Sequence, residues 1–210
     1  MKHFYFCPDQ GRDLERKLFR SWHNVLRKYE QAWQDNDLAY VYNQEANVGV
    51  LALAAWKIGR LPFLEFSVKK LTSPGRRRRY SGWGDLSIWP MEEGGKRGGI
   101  LIEAERVQRS WKNKNDSMAN KIRECLKKAT GDASRISEWD ARRMGLVFAI
   151  PFGARNGQFE PTTFWTTLVE TRRSLKADFC AFHLCKRDIW SQQRKHKDCP
   201  GVAVIGKYIT

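Results

Sequence analysis

Three acidic side chains stand in apolar stretches that read as neighbouring β-strands: Asp85 in "GDLSIW", and Glu103 and Glu105 in "GILIEAERV". Because side chains alternate along a strand, Glu103 and Glu105 point to one face and Ile102 and Ala104 to the other. The glycine-rich turn "EEGGKRGG" between the stretches predicts an antiparallel hairpin that brings Asp85 opposite one of the two glutamates. Three carboxylates that close repel one another unless a cation lies between them, so we expect a Mg²⁺ (or Mn²⁺) site.

The alternative for the two glutamates is a solvated edge strand, on which Arg106 and Lys112 neutralise them. The overall charge favours a nucleic-acid site, because 38 Lys and Arg against 23 Asp and Glu give a net charge of +15 and a pI of about 9.8. Such a surplus indicates an anionic partner, with nucleic acid as the first candidate. The cations expected to contact it are Arg76, Arg77, Arg78, Arg79, Lys96, Arg97, Arg106 and Lys114.

Helical and strand patterns place these residues on one mixed sheet. The predicted helices span residues 12–34, 39–57, 115–131 and 161–175, with a short one starting at Ser137; the predicted strands span 63–69, 83–89, 100–105, 145–151, 177–184 and 202–209. This order predicts an α/β (α+β) fold, a mixed central sheet flanked by helices on both faces, in a single domain of residues 1–210.

The acidic residues and the order of elements resemble the PD-(D/E)XK nuclease superfamily, which has the restriction-endonuclease-like fold. Asp85 matches the acid of the second core strand, Glu103 the acid of the third, and Glu45 the acid often found on the preceding helix. The resemblance covers a core of about residues 38–151, with the helix at 12–34 and a C-terminal extension at 152–210 outside it.

Glu105 departs from the superfamily, which usually has lysine at this position. Some members resembling this chain carry Glu there, and in others the lysine moves to the neighbouring helix, where Lys112 or Lys114 could serve. The resemblance implies metal-dependent phosphodiester hydrolysis, with Asp85 and Glu103 holding Mg²⁺ and Glu105 as a further ligand or as the base that orients water.

The superfamily further implies that Glu45 reaches a second metal or water and that Lys112 binds phosphate. It suggests a DNA endonuclease of restriction or antiphage defence, acting as a homodimer or with a partner subunit where both strands are cut. The alternative is a catalytically inactive nucleic-acid-binding or assembly module with the same fold.

The cysteines and the first residues of the chain concern compartment and a second metal. Cys180, His183, Cys185, His196 and Cys199 offer ligands for zinc in a basic RNA-binding protein, although their spacing fits no common finger and buried reduced thiols are the simpler interpretation. The start "MKHFYFCPDQ" lacks the apolar region of a signal peptide, and the longest apolar run, 48–56, is too short to span a bilayer. We therefore expect a cytoplasmic protein without a membrane partner.

Overall fold

Within the described residues the fold consists of seven strands and four α-helices. The structure is a computed structural model and describes residues 4–8, 12–32, 38–72, 79–91, 98–110, 116–137, 139–152, 159–185 and 199–209. The strands are β1 (Phe4–Pro8), β2 (Arg60–Leu71), β3 (Arg79–Pro90), β4 (Gly99–Ser110), β5 (Ala141–Phe152), β6 (Phe179–Leu184) and β7 (Gly201–Ile209), and the helices are α1 (Asp13–Ala32), α2 (Gln44–Lys57), α3 (Asp116–Ser134) and α4 (Pro161–Ser174).

All seven strands belong to one sheet, in the order β1-β6-β7-β5-β4-β3-β2. The strands β2, β3 and β4 form an antiparallel meander, and α3 then carries the chain to β5, which runs parallel to β4. The remaining pairs are antiparallel. The predicted mixed sheet is therefore confirmed, and β4, which carries two of the three acids, lies inside the sheet rather than at its edge.

The two faces of the sheet bury separate apolar clusters. One lies under α1 and α2 and includes Trp22, Leu51 and Phe148. The other lies under α3 and α4 and includes Leu126 and Phe164. Helices thus cover both faces, as the element order predicts, and alternation along the strands supplies each cluster with its own set of side chains.

The second helix begins later than its pattern predicts. A short 3-10 turn occupies 39–41, and α2 starts only after Asn43, whose side chain accepts a hydrogen bond from the backbone N–H of Ala46 at 2.8 Å. The amide of Asn47 donates to the carbonyl of Asn43 at 2.7 Å and so holds this entry. Although α2 is largely apolar, none of the helices in the described ranges is long and apolar enough to cross a membrane.

Three further differences from the sequence prediction lie in the connection before β5, at the start of β5 and at the edge strand β1. The short helix predicted from Ser137 is wrong: the N–H of Ser137 instead donates to the carbonyl of Lys69, and Trp139 adopts a φ of 82°, which a helix cannot contain. β5 consequently starts at Ala141, four residues before the predicted strand. The sequence patterns also missed β1, which pairs with β6.

Candidate nuclease site at the β3–β4 divergence

The first feature of the site is the point at which β3 and β4 part. Their ladder ends at Leu86 opposite Ile102, whereas β4 pairs with β5 along its whole length. Asp85 is the first β3 residue beyond the ladder, and its Oδ2 accepts a hydrogen bond from the backbone N–H of Ala104 at 2.6 Å. The carboxylate thus replaces a ladder bond that the diverging strands no longer make. Continued by one step, the same register sets Asp85 opposite Glu103.

Glu103 is a buried carboxyl beside a buried lysine. Glu103 is 6% exposed and Lys70 is 9% exposed. Oε1 of Glu103 lies 2.7 Å from Nζ of Lys70. Burial raises the pKa of Glu103 to about 7; the hydrogen bond and charge of Lys70 oppose this rise, and the charges of Asp85 and Asp132 add to it. A carboxyl that titrates near neutral pH is typical of functional sites, although buried ion-pair networks produce it too.

Lys70 reaches Glu103 because the far end of the β2–β3 hairpin is tied to the segment that follows α3. The backbone N–H of Leu71 donates to the carbonyl of Arg135 at 2.7 Å, and Lys70 forms an isolated bridge with Ile136. These bonds hold the hairpin over the sheet face that carries Glu103. Lys70 carries no local sequence signal, because its partner is distant along the chain and "VKKL" contains no motif.

Glu105 also pairs with a lysine, on the helix that follows its strand. Its Oε1 lies 2.5 Å from Nζ of Lys128 on α3. The expected partners were Arg106 and Lys112 for an edge strand, and Lys112 or Lys114 for a displaced catalytic lysine; both of these lysines lie outside the described residues. The cation that the neighbouring helix supplies in this structure is therefore Lys128, about four helical turns further along than Lys114.

Close packing of α3 on β5 positions Lys128. A Cβ built on Gly145 of β5 would lie 2.5 Å from the backbone nitrogen of Thr130 and 2.9 Å from the carbonyl carbon of Ala129. Any side chain at this position would push the helix outward. Glycine therefore permits the approach that brings Lys128 within reach of Glu105.

The start of α2 supplies polar groups from the other side. Nε2 of Gln44 donates to Oδ2 of Asp85 at 3.3 Å, and Glu45 lies exposed in the first turn of the helix. Burial raises the pKa of Asp85, the hydrogen bond from Ala104 and the charge of Lys70 oppose the rise, and the charges of Glu105 and Glu45 add to it. The charges of Glu105 and Glu45 therefore act on Asp85, and the charge of Asp85 acts on Glu103.

The donor atoms suit a hard cation. Both hydrogen bonds to Asp85 end on Oδ2, and Lys70 contacts Oε1 of Glu103, so within the described part of the chain Oδ1 of Asp85 and Oε2 of Glu103 have no bonding partner. Carboxylate oxygens of this kind are ligands that Mg²⁺ accepts together with water and phosphate. Across the same ranges, however, no three His, Cys, Asp or Glu side chains group closely enough to hold a metal ion by themselves.

The basic residues predicted to contact nucleic acid are only partly described. Arg79 lies exposed at the start of β3, while Arg76, Arg77, Arg78, Lys96, Arg97 and Lys114 fall outside the described ranges. Arg106 points away from the acids and donates to the carbonyl of Val41 at 2.6 Å and to Oε1 of Gln108 at 2.7 Å. Arg106 therefore links β4 to the residues before α2 in this structure.

The residues considered for zinc separate onto two faces of the sheet. Cys180 packs under α3 and α4, where burial and the neighbouring Cys7 raise the pKa of its thiol. Cys185 and Cys199 lie in the other cluster. On that side the fully buried His183 contacts Glu30 at 2.7 Å and His23 at 2.8 Å. His196 lies outside the described residues.

Comparisons with known proteins add no relative. No protein-family model matches the sequence, and no curated protein or solved structure matches it either. The structure itself defines a mixed α/β sheet, and the resemblance to PD-(D/E)XK nucleases stays a prediction from the acidic residues and the order of the elements.

Proposed function

We propose that the protein is a Mg²⁺-dependent nuclease that hydrolyses phosphodiester bonds, acting as a DNA endonuclease of restriction or antiphage defence in the cytoplasm. The observation that carries the proposal is the meeting of Asp85, Glu103 and Lys70 where β3 and β4 diverge. Two acids and a lysine are the residue types of the superfamily motif. Here β2 contributes the lysine that β4 lacks.

Asp85 and Glu103 would hold Mg²⁺ through the oxygens that carry no other bond. When bound, Mg²⁺ supplies a Lewis acid for phosphate and lowers the pKa of a water nucleophile. Lys70 keeps Glu103 in place through Oε1 and presents positive charge to the transition state. Glu105 accepts a proton from water or orients it, and its partner Lys128 binds a phosphate oxygen.

The protonation of Glu103 links this arrangement to pH. With a pKa of about 7, a large share of this carboxyl is protonated in the free protein at neutral pH. A cation that binds there must displace the proton, so binding strengthens as the pH rises. Burial is the main cause of the raised pKa, and the charges of Asp85 and Asp132, which add to it, are charges that a divalent cation would offset.

A second candidate function is the inactive nucleic-acid-binding module. The observation in its favour is that Glu103 and Glu105 already have lysine partners at 2.7 and 2.5 Å. In such a module the lysines would compensate the acids permanently, and the site would only stabilise the fold. The predicted homodimer or partner subunit is compatible with either function.

Plasmid cleavage distinguishes the two candidates. We expect the wild-type protein to nick or linearise plasmid DNA with Mg²⁺ or Mn²⁺, and Asp85→Asn and Glu103→Gln to lose cleavage while they retain DNA binding. Both substitutions keep the size of the side chain, and Asn at position 85 retains an oxygen for the N–H of Ala104. Glu170→Gln, at an exposed position of α4, is the matched control.

The plasmid could stay intact with every metal and added partner, under conditions where the wild-type protein binds DNA. That result would contradict the nuclease and support the binding module. Cleavage that survives both substitutions would contradict the site. Unfolding in urea must show that each variant is folded under the assay conditions.

A further inference from the structure

The outer face of α1 carries only positive charge over most of its length. Its exposed ionisable residues after the first turn are Arg16, Lys17, Arg20, Arg27 and Lys28. The helix does contain acids beyond the first residue, but Glu15 and Glu30 are only 2% and 4% exposed. The bases of α1 therefore lie on its exposed side, and Glu15 and Glu30 lie on its buried side.

The two buried glutamates have bonding partners inside the fold. Oε1 of Glu15 accepts a hydrogen bond from the hydroxyl of Tyr208 at 2.5 Å and lies near Arg142, and Glu30 contacts His183 at 2.7 Å. Both acids lie on the buried side of α1, so after the first turn no acid of the described helix stands beside its exposed cations. The cations on that side remain uncompensated by their own helix.

A groove of about 730 Å³ lies where this face meets the C-terminal end of α2. Ser21, Val25 and Ile58 line it together with the amides of Asn24 and Gln31. Five cations border it: Lys17, Arg20, Arg27 and Lys28 of α1 and Lys57 of α2. Among the described residues that line the groove there is no acid, and the negative end of α2, equivalent to about half a charge, is small against five full charges.

The groove is separate from the candidate nuclease site. Gln44 and Glu45 of that site belong to the first turn of α2, whereas Lys57 is its last residue. At a rise of about 1.5 Å per residue, a helix of this length separates its two ends by about 20 Å. This distance corresponds to about six base pairs of duplex DNA at about 3.4 Å per pair.

We propose that this groove, here called the α1 groove, binds the phosphate backbone of duplex DNA outside the segment that enters the nuclease site. The inference rests on the proposed function for its choice of DNA. Lys17 and Arg20, and about two turns further on Arg27 and Lys28, offer cations to the phosphates of one strand. The amides of Asn24 and Gln31 can donate hydrogen bonds to phosphate oxygens. The contact gives affinity without sequence preference.

The test compares two double variants that remove the same charge. Arg20→Gln/Arg27→Gln removes two cations from the α1 groove, and Arg173→Gln/Lys176→Gln removes two exposed cations at the end of α4, on the other face of the sheet. Binding of the full chain to a fluorescent duplex is measured in EDTA over a range of salt concentrations.

We expect the α1-groove variant to reduce the slope of log Kd against log salt by about 2 and to raise Kd at about 0.1 M salt by on the order of 50-fold. The α4 variant should change both quantities much less. Equal effects of the two variants, or no effect of the first, would overturn the proposal. So would a loss of binding to vesicles of anionic phospholipid without a loss of binding to duplex DNA.

The plasmid assay separates this proposal from the proposed function. If the wild-type protein cuts plasmid and the α1-groove variant binds duplex DNA as the wild type does, the groove is wrong and the nuclease stands. If no plasmid is cut but duplex binding depends on Arg20 and Arg27, the groove stands and the nuclease is wrong. A wild-type chain that binds no DNA would overturn both.

Discussion

Replacing Glu103 by glutamine tests the buried carboxyl at the centre of the site. Its pKa is raised from 4.5 to about 7, and at about 1.36 kcal/mol per pKa unit this corresponds to about 3 kcal/mol. The folded protein holds the proton more tightly than the unfolded chain does. The contribution of Glu103 to stability is therefore present at pH below about 4.5 and is lost as the pH rises through about 7.

The measurement is the free energy of unfolding in urea, with EDTA present, for the wild type and Glu103→Gln. The difference, variant minus wild type, should increase by about 2.5 kcal/mol between about pH 5 and about pH 8, because only the wild type loses stability through this group. The substitution also leaves Lys70 without its partner, which lowers the free energy of unfolding of the variant at every pH. The informative quantity is therefore the change with pH of the difference between variant and wild type.

Glu170→Gln serves as the control for Glu103→Gln. It removes a glutamate from an exposed position of α4, so it shows how much of the pH dependence comes from the loss of any one carboxyl. A difference for Glu103→Gln that stays constant across the range would refute the reasoning, because it would mean that Glu103 is not destabilised by ionisation in the folded protein. An equal change in both variants would refute it as well.

Substitutions at three other positions test how the site is held. At pH values above the pKa of Glu103, Lys70→Met should destabilise the fold by about 3–5 kcal/mol, and at acid pH it should do so by less. Urea unfolding at acid pH and above the pKa of Glu103 measures the two losses; equal losses would contradict the ion pair. Gly145→Ala should cost about 1–3 kcal/mol because its Cβ would meet Thr130; an unchanged urea midpoint would show that α3 moves freely. Asn43→Ala should lose about 1 kcal/mol of helix capping, and Asn43→Ser should recover most of it in thermal unfolding.

Much of the fold could be predicted because local patterns agree with the tertiary structure. The helix predicted at 12–34 is found at Asp13–Ala32, and the one predicted at 161–175 is found at Pro161–Ser174. Both have apolar residues at helical spacing on the side that packs on the sheet. The order of the meander strands is likewise as predicted, although each strand is several residues longer.

The errors occur where long-range contacts override local patterns. Ser137 has the signature of a helix cap, but its N–H bonds to the carbonyl of Lys69, a partner that no local window contains. β1 is too short for a periodic signal and is stabilised by its pairing with β6. Backbone bonds of this kind depend on where the hairpin lies in three dimensions.

The same limit applies to the lysines of the site. Strand alternation is a local rule, so it predicts correctly that Glu103 and Glu105 share a face. Lys70 reaches that face because the N–H of Leu71 bonds to the carbonyl of Arg135. Lys128 reaches it because α3 packs closely on β5. A motif search limited to the residues around Glu105 therefore finds the acids and misses their cations.

The two ion pairs differ in what they permit. Lys70 and Glu103 are both buried, and separating such a pair costs about 3–5 kcal/mol, so Lys70 holds Glu103 in place. Lys128 is 66% exposed in its side chain, and an exposed pair contributes about 0–1 kcal/mol. Glu105 can therefore exchange Lys128 for a metal ion or a water molecule at little cost, and Lys128 can turn to a phosphate. Under the proposed function, a glutamate in place of the usual lysine is compatible with cleavage, because the fixed cation comes from β2 and the exchangeable one from α3.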